Sequence, residues 1–230
     1  MEKSERVASS IEQTCLKPLT TSSDIHKICQ EALDWKFYGI CLSSIWLGDA
    51  RAYLGSSPTR LITVAGFPTG ALSTSIKCYE IEEALKAGAH EIDFVLNLGW
   101  LKEHRFQAIE DEFKQLVALS SPNPLKVILE TCYLNDFEKE CACKAATSAG
   151  IAFVKTSTGF GTGGATPEDI RLLHQWAPQI KASGGIKDTQ MALALLEAGA
   201  CRIGTSSGVA IMEGLKASSS RSDSKRYEKG

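Results

Sequence analysis

Two lysines stand where lysine is unusual. Lys155 ends the apolar run Ile151-Ala152-Phe153-Val154 and opens directly into the hydroxyls and glycines of KTSTGFGTGG; Lys181, in QIKASGG, repeats the arrangement 26 residues later. An ammonium at the end of a buried strand is expensive to desolvate, so its presence asks for a reason. At neutral pH an ordinary lysine, with a pKa near 10.4, is no more than about 0.1% unprotonated, and attack on a carbonyl requires a drop of about three units, roughly 4 kcal/mol. Burial and a neighbouring cation are the two usual means of achieving it. A lysine pair on adjacent strands supplies both, one as nucleophile and one as fixed positive charge. Asp93, in EIDFV, adds a group able to move protons. A protonated imine formed on such a lysine draws electrons from the neighbouring carbon–carbon bond.

A second theme is anion binding. Ser183-Gly184-Gly185-Ile186 follows Lys181, and Thr205-Ser206-Ser207-Gly208 follows a later apolar run. Small residues let backbone N–H groups approach a phosphate, and serine hydroxyls add donors. These two loops, 183–186 and 205–208, are therefore the expected phosphate site. The glycines of 159–164 match neither the Walker nor the dinucleotide spacing and fit a loop closing over a pocket. His26, His90, His104 and His174 fall on no ligand-like spacing and are expected on surfaces or at helix ends, so no metal is suggested. Glu130, ending VILE, fits a charge near the lysines or a structural pair equally well. Cys41 and Cys132 also fall at strand ends, where packing is the expected role.

The elements that must hold these residues alternate throughout the chain. Strands are predicted at 11–16, 39–42, 60–65, 90–96, 125–129, 151–157, 179–182 and 201–204. Between them lie predicted helices from a cap at Asp24 to about 35, and at 44–54, 73–87, 104–119, 136–149 and 188–198, with another opening at Thr166-Pro167. Eight such units in one chain predict a single α/β domain, a (β/α)8 TIM barrel over 1–216, with a doubly wound open sheet as the competitor. Residues 217–230 are polar and of low complexity and are expected to form a mobile tail.

A weak repeat favours the barrel. Ala87-Gly88, Ala149-Gly150 and Ala198-Gly199 each end a predicted helix, and five residues after each glycine stand Asp93, Lys155 and Gly204. Superposed units place an acid, a lysine and an empty space on one level of alternate strands, with Lys181 between the last two.

The bulk composition excludes other classes. Hydrophobic residues make up 43% and charged residues 23%, ordinary for a globular protein, and a net charge of −2 gives nucleic-acid binding no electrostatic support. The eight cysteines include no CxxC pair, and no signal-like or membrane-spanning stretch is evident, so reduced thiols in a cytoplasmic protein are expected.

VKTSTGF at 154–160, with KASGGI at 181–186, EIDFVLN at 91–97 and RIGTSSG at 202–208, resembles the deoxyribose-phosphate aldolase family. The resemblance runs from TCLKP at 14–18 to SSG at 206–208. It implies a class I aldolase that reversibly cleaves 2-deoxy-D-ribose 5-phosphate to D-glyceraldehyde 3-phosphate and acetaldehyde, without a cofactor, as a homodimer or higher homo-oligomer. By the family pattern Lys155 is the Schiff-base lysine, Lys181 its pKa-lowering partner and Asp93 the proton donor and acceptor; Gly184, Gly185, Ser206 and Ser207 match the family's phosphate contacts, with Thr158 and Gly159 as further substrate-side candidates. The alternatives are another Schiff-base enzyme of the transaldolase type, or a weakly active relative that only binds a phosphorylated metabolite. Two positions depart from the pattern. The first strand reads Glu12-Gln13-Thr14 where family members often carry Asp-His before the threonine; Glu12 and Thr14 are accessory candidates. A C-terminal tyrosine assists proton transfer in the family, and Tyr227 is its candidate here.

Overall fold

Each of the three Ala-Gly glycines takes the left-handed conformation that ends a helix and turns the chain toward the next strand: Gly88 at φ 90°, Gly150 at 83° and Gly199 at 117°. The computed structural model describes residues 3–177 and 179–227, with side chains to residue 218. Among them, strands β1 (Ile11–Cys15), β2 (Gly39–Leu42), β3 (Arg60–Ala65), β4 (Glu91–Val95), β5 (Leu125–Ile128), β6 (Phe153–Lys155), β7 (Ile180–Ser183) and β8 (Arg202–Thr205) pair in parallel and in sequence order. β1 then closes on β8 through Ile11 opposite Ile203, Glu12 opposite Gly204 and Gln13 opposite Thr205. Closure removes the open-sheet alternative and leaves a (β/α)8 barrel.

Helices α1 (Lys3–Ala8), α2 (Ser22–Trp35), α3 (Leu47–Leu54), α4 (Thr74–Lys86), α5 (Leu98–Lys102), α6 (Phe106–Ser120), α7 (Asp136–Ala149), α8 (Pro167–Leu173), α9 (Thr189–Glu197) and α10 (Gly208–Tyr227) accompany the strands. Local chemistry explains their limits. Asn135 and Glu138 form a reciprocal capping box at the start of α7, and Thr166 caps α8 with Pro167 in its first turn. α2 corrects its expected cap: Thr21 is the N-cap and Asp24 the third helical residue, whose carboxylate reaches back to the Thr21 N–H at 2.8 Å. Three further differences are local. The predicted 44–54 helix begins as a 3-10 turn at Ser44–Trp46, α5 is an extra short helix capped by Asn97, and α10 continues the chain as helix into the polar 217–230 segment. Among the described residues, no helix is long and apolar enough to cross a membrane.

Strands β2, β4, β5, β6 and β7 are buried along their whole length, as expected when one face meets the helices and the other the barrel interior. The helix-facing residues are apolar: Ile92 and Phe94 on β4, Leu125 and Val127 on β5, Val154 on β6. Side chains alternate along a strand. The interior positions therefore include Glu91 and Asp93, Lys126, Phe153 and Lys155, Lys181, Arg202 and Gly204, and Glu12, beside apolar ones such as Val95 and Ile128. That interior is far more charged than an ordinary barrel core.

Candidate active site

The interior charges converge on one carboxylate. Asp93 Oδ2 accepts hydrogen bonds from Lys155 Nζ at 2.9 Å and Lys181 Nζ at 2.7 Å, and its Oδ1 accepts one from Lys126 Nζ at 2.9 Å. Burial alone would favour the neutral acid; Lys126, Lys155 and Lys181 outweigh it and hold the Asp93 carboxyl well below the usual carboxylate range. Lys181 also donates to Glu12 Oε2. Burial opposes the Lys181 charge, but Asp93 and Glu12 overcome it and raise its pKa. Lys126 is raised in the same way, by Asp93, Glu12 and Glu91 against burial, with Glu91 Oε2 at 2.6 Å.

The expected empty space at Gly204 proves to be room for a neighbour. A Cβ there would lie 2.9 Å from Lys181 Cε, so the glycine lets the lysine stem cross β8 toward Glu12. Glu12 thus reaches Lys181 from β1. Its other oxygen accepts no hydrogen bond and lies 3.7 Å from Lys126 and 3.9 Å from Arg202 Nε.

Only one of the lysines meets the cavity above. That cavity, about 600 Å3, is lined by Lys155 together with Thr14, Thr158, Gly159, Gly184, Gly185, Thr205 and Ser206. Asp93, Lys181, Lys126 and Glu12 lie beneath with no exposed surface.

The loops above β6, β7 and β8 are tied to one another. Ala165 N–H donates to Gly184 O at 3.1 Å, and Gly164 packs so closely there that a Cβ would fall 2.2 Å from that oxygen. Thr205 Oγ1 donates to Ile186 O at 2.6 Å and accepts from Ser207 N–H at 2.9 Å, linking the two Gly/Ser loops. Gly184 at φ 89° and Gly185 at φ 73° turn consecutive peptides in a conformation that side chains disfavour. Among the described residues their N–H groups donate to no protein acceptor.

Several expected contacts are redistributed. Ser207 does not line the cavity, and its N–H donates to Thr205 Oγ1. Thr158 lines it, but its N–H and hydroxyl both donate to Glu130, so that acid positions the loop after β6 and makes no ion pair with the lysines. Thr14 donates its hydroxyl to the Glu12 carbonyl at 3.0 Å. Cys41 is fully buried beside the cluster, where burial pushes its thiol up to about 11. Cys132 is half-buried with its sulfur 2.9 Å from where a Cβ on Gly161 would stand. His90 is neither a surface nor a helix-end residue: its Nδ1 accepts from Leu61 N–H at 2.8 Å beside the start of β4. The Tyr227 side chain lies outside the described residues.

The residue that sequence reasoning missed is Lys126. Its signal was present in LKVI, a lysine inside an apolar strand, the same anomaly that singled out Lys155. No glycine or hydroxyl loop follows it, so nothing but the lysine itself marks the position in the sequence. Below Lys126 the network continues: Tyr38 donates to Glu91, and the Arg202 guanidinium lies 3.7 Å over the Tyr38 ring.

Comparison with known proteins agrees over nearly the whole chain. It is 47% identical over 222 residues to a deoxyribose-phosphate aldolase of Carboxydothermus hydrogenoformans, covering 94% of this chain and 97% of that protein. It is 45% identical to the protein of the same name from Thermococcus kodakarensis, covering 93% and 98%. Among solved structures, the tetrameric deoxyribose phosphate aldolase of Aeropyrum pernix superposes with a TM-score of 0.85 at 33% identity, covering 93% of this chain and 92% of that one. A buried lysine that reaches a cavity over a shared carboxylate is what a Schiff-base aldolase needs, and residues 10–214 match the family model described as DeoC/LacD family aldolase, so the chain belongs to that family.

Proposed function

We propose that this enzyme cleaves 2-deoxy-D-ribose 5-phosphate reversibly to D-glyceraldehyde 3-phosphate and acetaldehyde through a Schiff base on Lys155. The observation that carries the reading is that Lys155 alone of the three lysines around Asp93 lines the cavity. The buried network holds Lys126, Lys155, Lys181 and Arg202 against Glu12, Glu91 and Asp93, one cation in excess. Lys155 meets the cavity, and the two lysines whose charge is reinforced stand as fixed cations beside it.

The steps follow from that arrangement. The free amine of Lys155 adds to the C1 aldehyde; the carbinolamine then loses water to give a protonated imine. Asp93, held ionised, relays protons to and from the nitrogen and oxygen of this step, with Lys181 fixing its carboxylate. Loss of the C3 hydroxyl proton lets the C2–C3 pair flow into the imine. Glyceraldehyde 3-phosphate leaves, and an enamine remains. Protonation of the enamine at C2 and addition of water release acetaldehyde and restore the amine. Gly184, Gly185 and Ser206 bind the phosphate, with Ser207 shaping their loop and Thr158 and Gly159 covering the substrate. Thr14 is an accessory contact, and Tyr227 an accessory proton donor carried by the 217–230 segment outside the 1–216 catalytic barrel. The natural setting is the cytoplasm, and the assembly a homodimer or larger homo-oligomer.

Borohydride reduction in the presence of acetaldehyde, followed by peptide mapping, tests the reading. The expected adduct is on Lys155 and absent from Lys155→Ala. An adduct that persists unchanged in that variant would sink the assignment.

A further inference from the structure

Gln13 occupies the position at which the first strand departs from its family, and the mechanism above gives it no part. It is 2% exposed and lies on β1 opposite Thr205. Its Oε1 accepts a hydrogen bond from Gly208 N–H at 3.0 Å, and its Nε2 donates to Glu31 Oε2, on α2, at 2.6 Å. A donor on one side and an acceptor on the other fix which end of the amide is which. Gly208 is the first residue of α10 and directly follows Ser206-Ser207. The approach is close: a Cβ on Gly208 would stand 2.7 Å from Gln13 Oε1 and 2.9 Å from the Phe37 ring. Glycine at 208 is thus what lets Gln13 reach the backbone.

We propose that Gln13 is a positioning residue for the phosphate subsite and so sets the preference for phosphorylated over unphosphorylated sugar. This rests on the aldolase reading. The Ser206-Ser207 loop is held from two sides. Thr205 Oγ1 fixes the Ser207 N–H and anchors it to Ile186 O of the neighbouring loop; Gln13 fixes the next peptide, between Ser207 and Gly208, and ties it to α2. With both anchors present, the N–H groups of Ser207 and Gly208 are engaged by the protein. Ser206, which lines the cavity, is then left facing the phosphate opposite Gly184 and Gly185. Losing Gln13 leaves a buried Gly208 N–H unpaired and releases one side of the loop, while Lys155, Asp93 and Lys181 keep their contacts, none of which involves Gln13.

The test compares kcat/KM for 2-deoxyribose 5-phosphate with that for 2-deoxyribose in the full-length wild type, Gln13→Leu and Glu31→Ala. Removing the partner of a buried hydrogen bond predicts that the phosphorylated-to-unphosphorylated ratio falls about tenfold in Gln13→Leu, through KM for the phosphorylated sugar. Glu31→Ala, which removes the support of the Gln13 amide together with a 4.0 Å pairing to Lys27, should move the ratio the same way by about threefold, and it serves if Gln13→Leu does not fold. A ratio that stays at the wild-type value in the folded variants, or an equal fall for both sugars, overturns the inference. Trapping by acetaldehyde and borohydride on the wild type separates the two questions. No adduct on Lys155 removes the aldolase reading and this inference with it; an adduct with an unchanged ratio removes only the inference.

Discussion

Among the described residues, lysines are buried completely in two places, and the two are built differently. In the outer wall, Lys77 of α4 meets Glu112 of α6 at 2.9 Å, with neither side chain exposed. Thr74 Oγ1 donates to the other Glu112 oxygen at 3.0 Å, and the Lys77 stem packs beneath Gly66. One cation faces one anion there, and neither lines the cavity above Asp93. Inside the barrel, three lysines share Asp93, cations outnumber carboxylates, and one lysine opens to a cavity. A closed pair holds helices together. A crowded set with one member open to the cavity presents that member to a substrate. Burial of a lysine alone therefore does not mark chemistry; charge imbalance together with access does.

The sharpest way to break this contrast is at the shared carboxylate. Asp93→Asn keeps the shape but removes the charge that gathers the lysines, and should lower kcat on the order of 10²- to 10⁴-fold in a retro-aldol assay. A loss of less than tenfold would mean that Asp93 only fills the barrel.

Lys126→Met comes next. It removes one charge-assisted hydrogen bond to Asp93 of about 1.5–3 kcal/mol, which corresponds to about ten- to a hundredfold in kcat. Borohydride labelling at Lys155 should persist at a reduced rate. Wild-type kcat in a folded Lys126→Met protein would place Lys126 with the structural lysine instead.

The outer pair should answer in stability and not in rate. Lys77→Met leaves Glu112 buried and unpaired and should cost about 3–5 kcal/mol by urea denaturation, with kcat of the folded protein unchanged. Adding Glu112→Leu should recover much of that loss, because removing both charges also removes their desolvation. A double variant as unstable as the single one would refute the closed-pair reading.

The smallest effect is on the pH dependence of stability. The folded-state pKa of Asp93 is depressed, so its contribution is fully present above the unfolded value of about 3.9 and is lost as the pH falls from there toward the folded value. Lys126 and Lys181 are raised, so theirs is full below about 10.4 and is lost as the pH rises through the folded values. Urea midpoints should therefore fall on both flanks, and Asp93→Asn should flatten the acid flank. An acid flank as steep as in the wild type would show that other carboxylates govern it.

How much was legible beforehand follows from which forces act locally. The cap at Thr166, the helix of 136–149 and the glycine ends of three helices are read within a few residues, because the donors and acceptors involved are neighbours in sequence. The sequence leaves the start of α2 open between Thr21 and Asp24 because aspartate suits both the N-cap and the third position of a capping box. α10 was missed because its polar second half carries no periodic apolar signal.

The chain by itself determined the alternation of strands and helices, the two strand-end lysines, the acid on a matching level and the small-residue loops, since period, propensity and turn chemistry are written in short stretches. Only the closed barrel decided the rest. Closing β1 on β8 brings Glu12 and Lys181, 169 positions apart, into contact. It also turns Gly204 from a gap into a passage for a lysine stem and sets Gln13 against Gly208, 195 positions away. Whether a buried charge is paired, crowded or open to a cavity depends on neighbours from distant strands, and no local pattern carries that information.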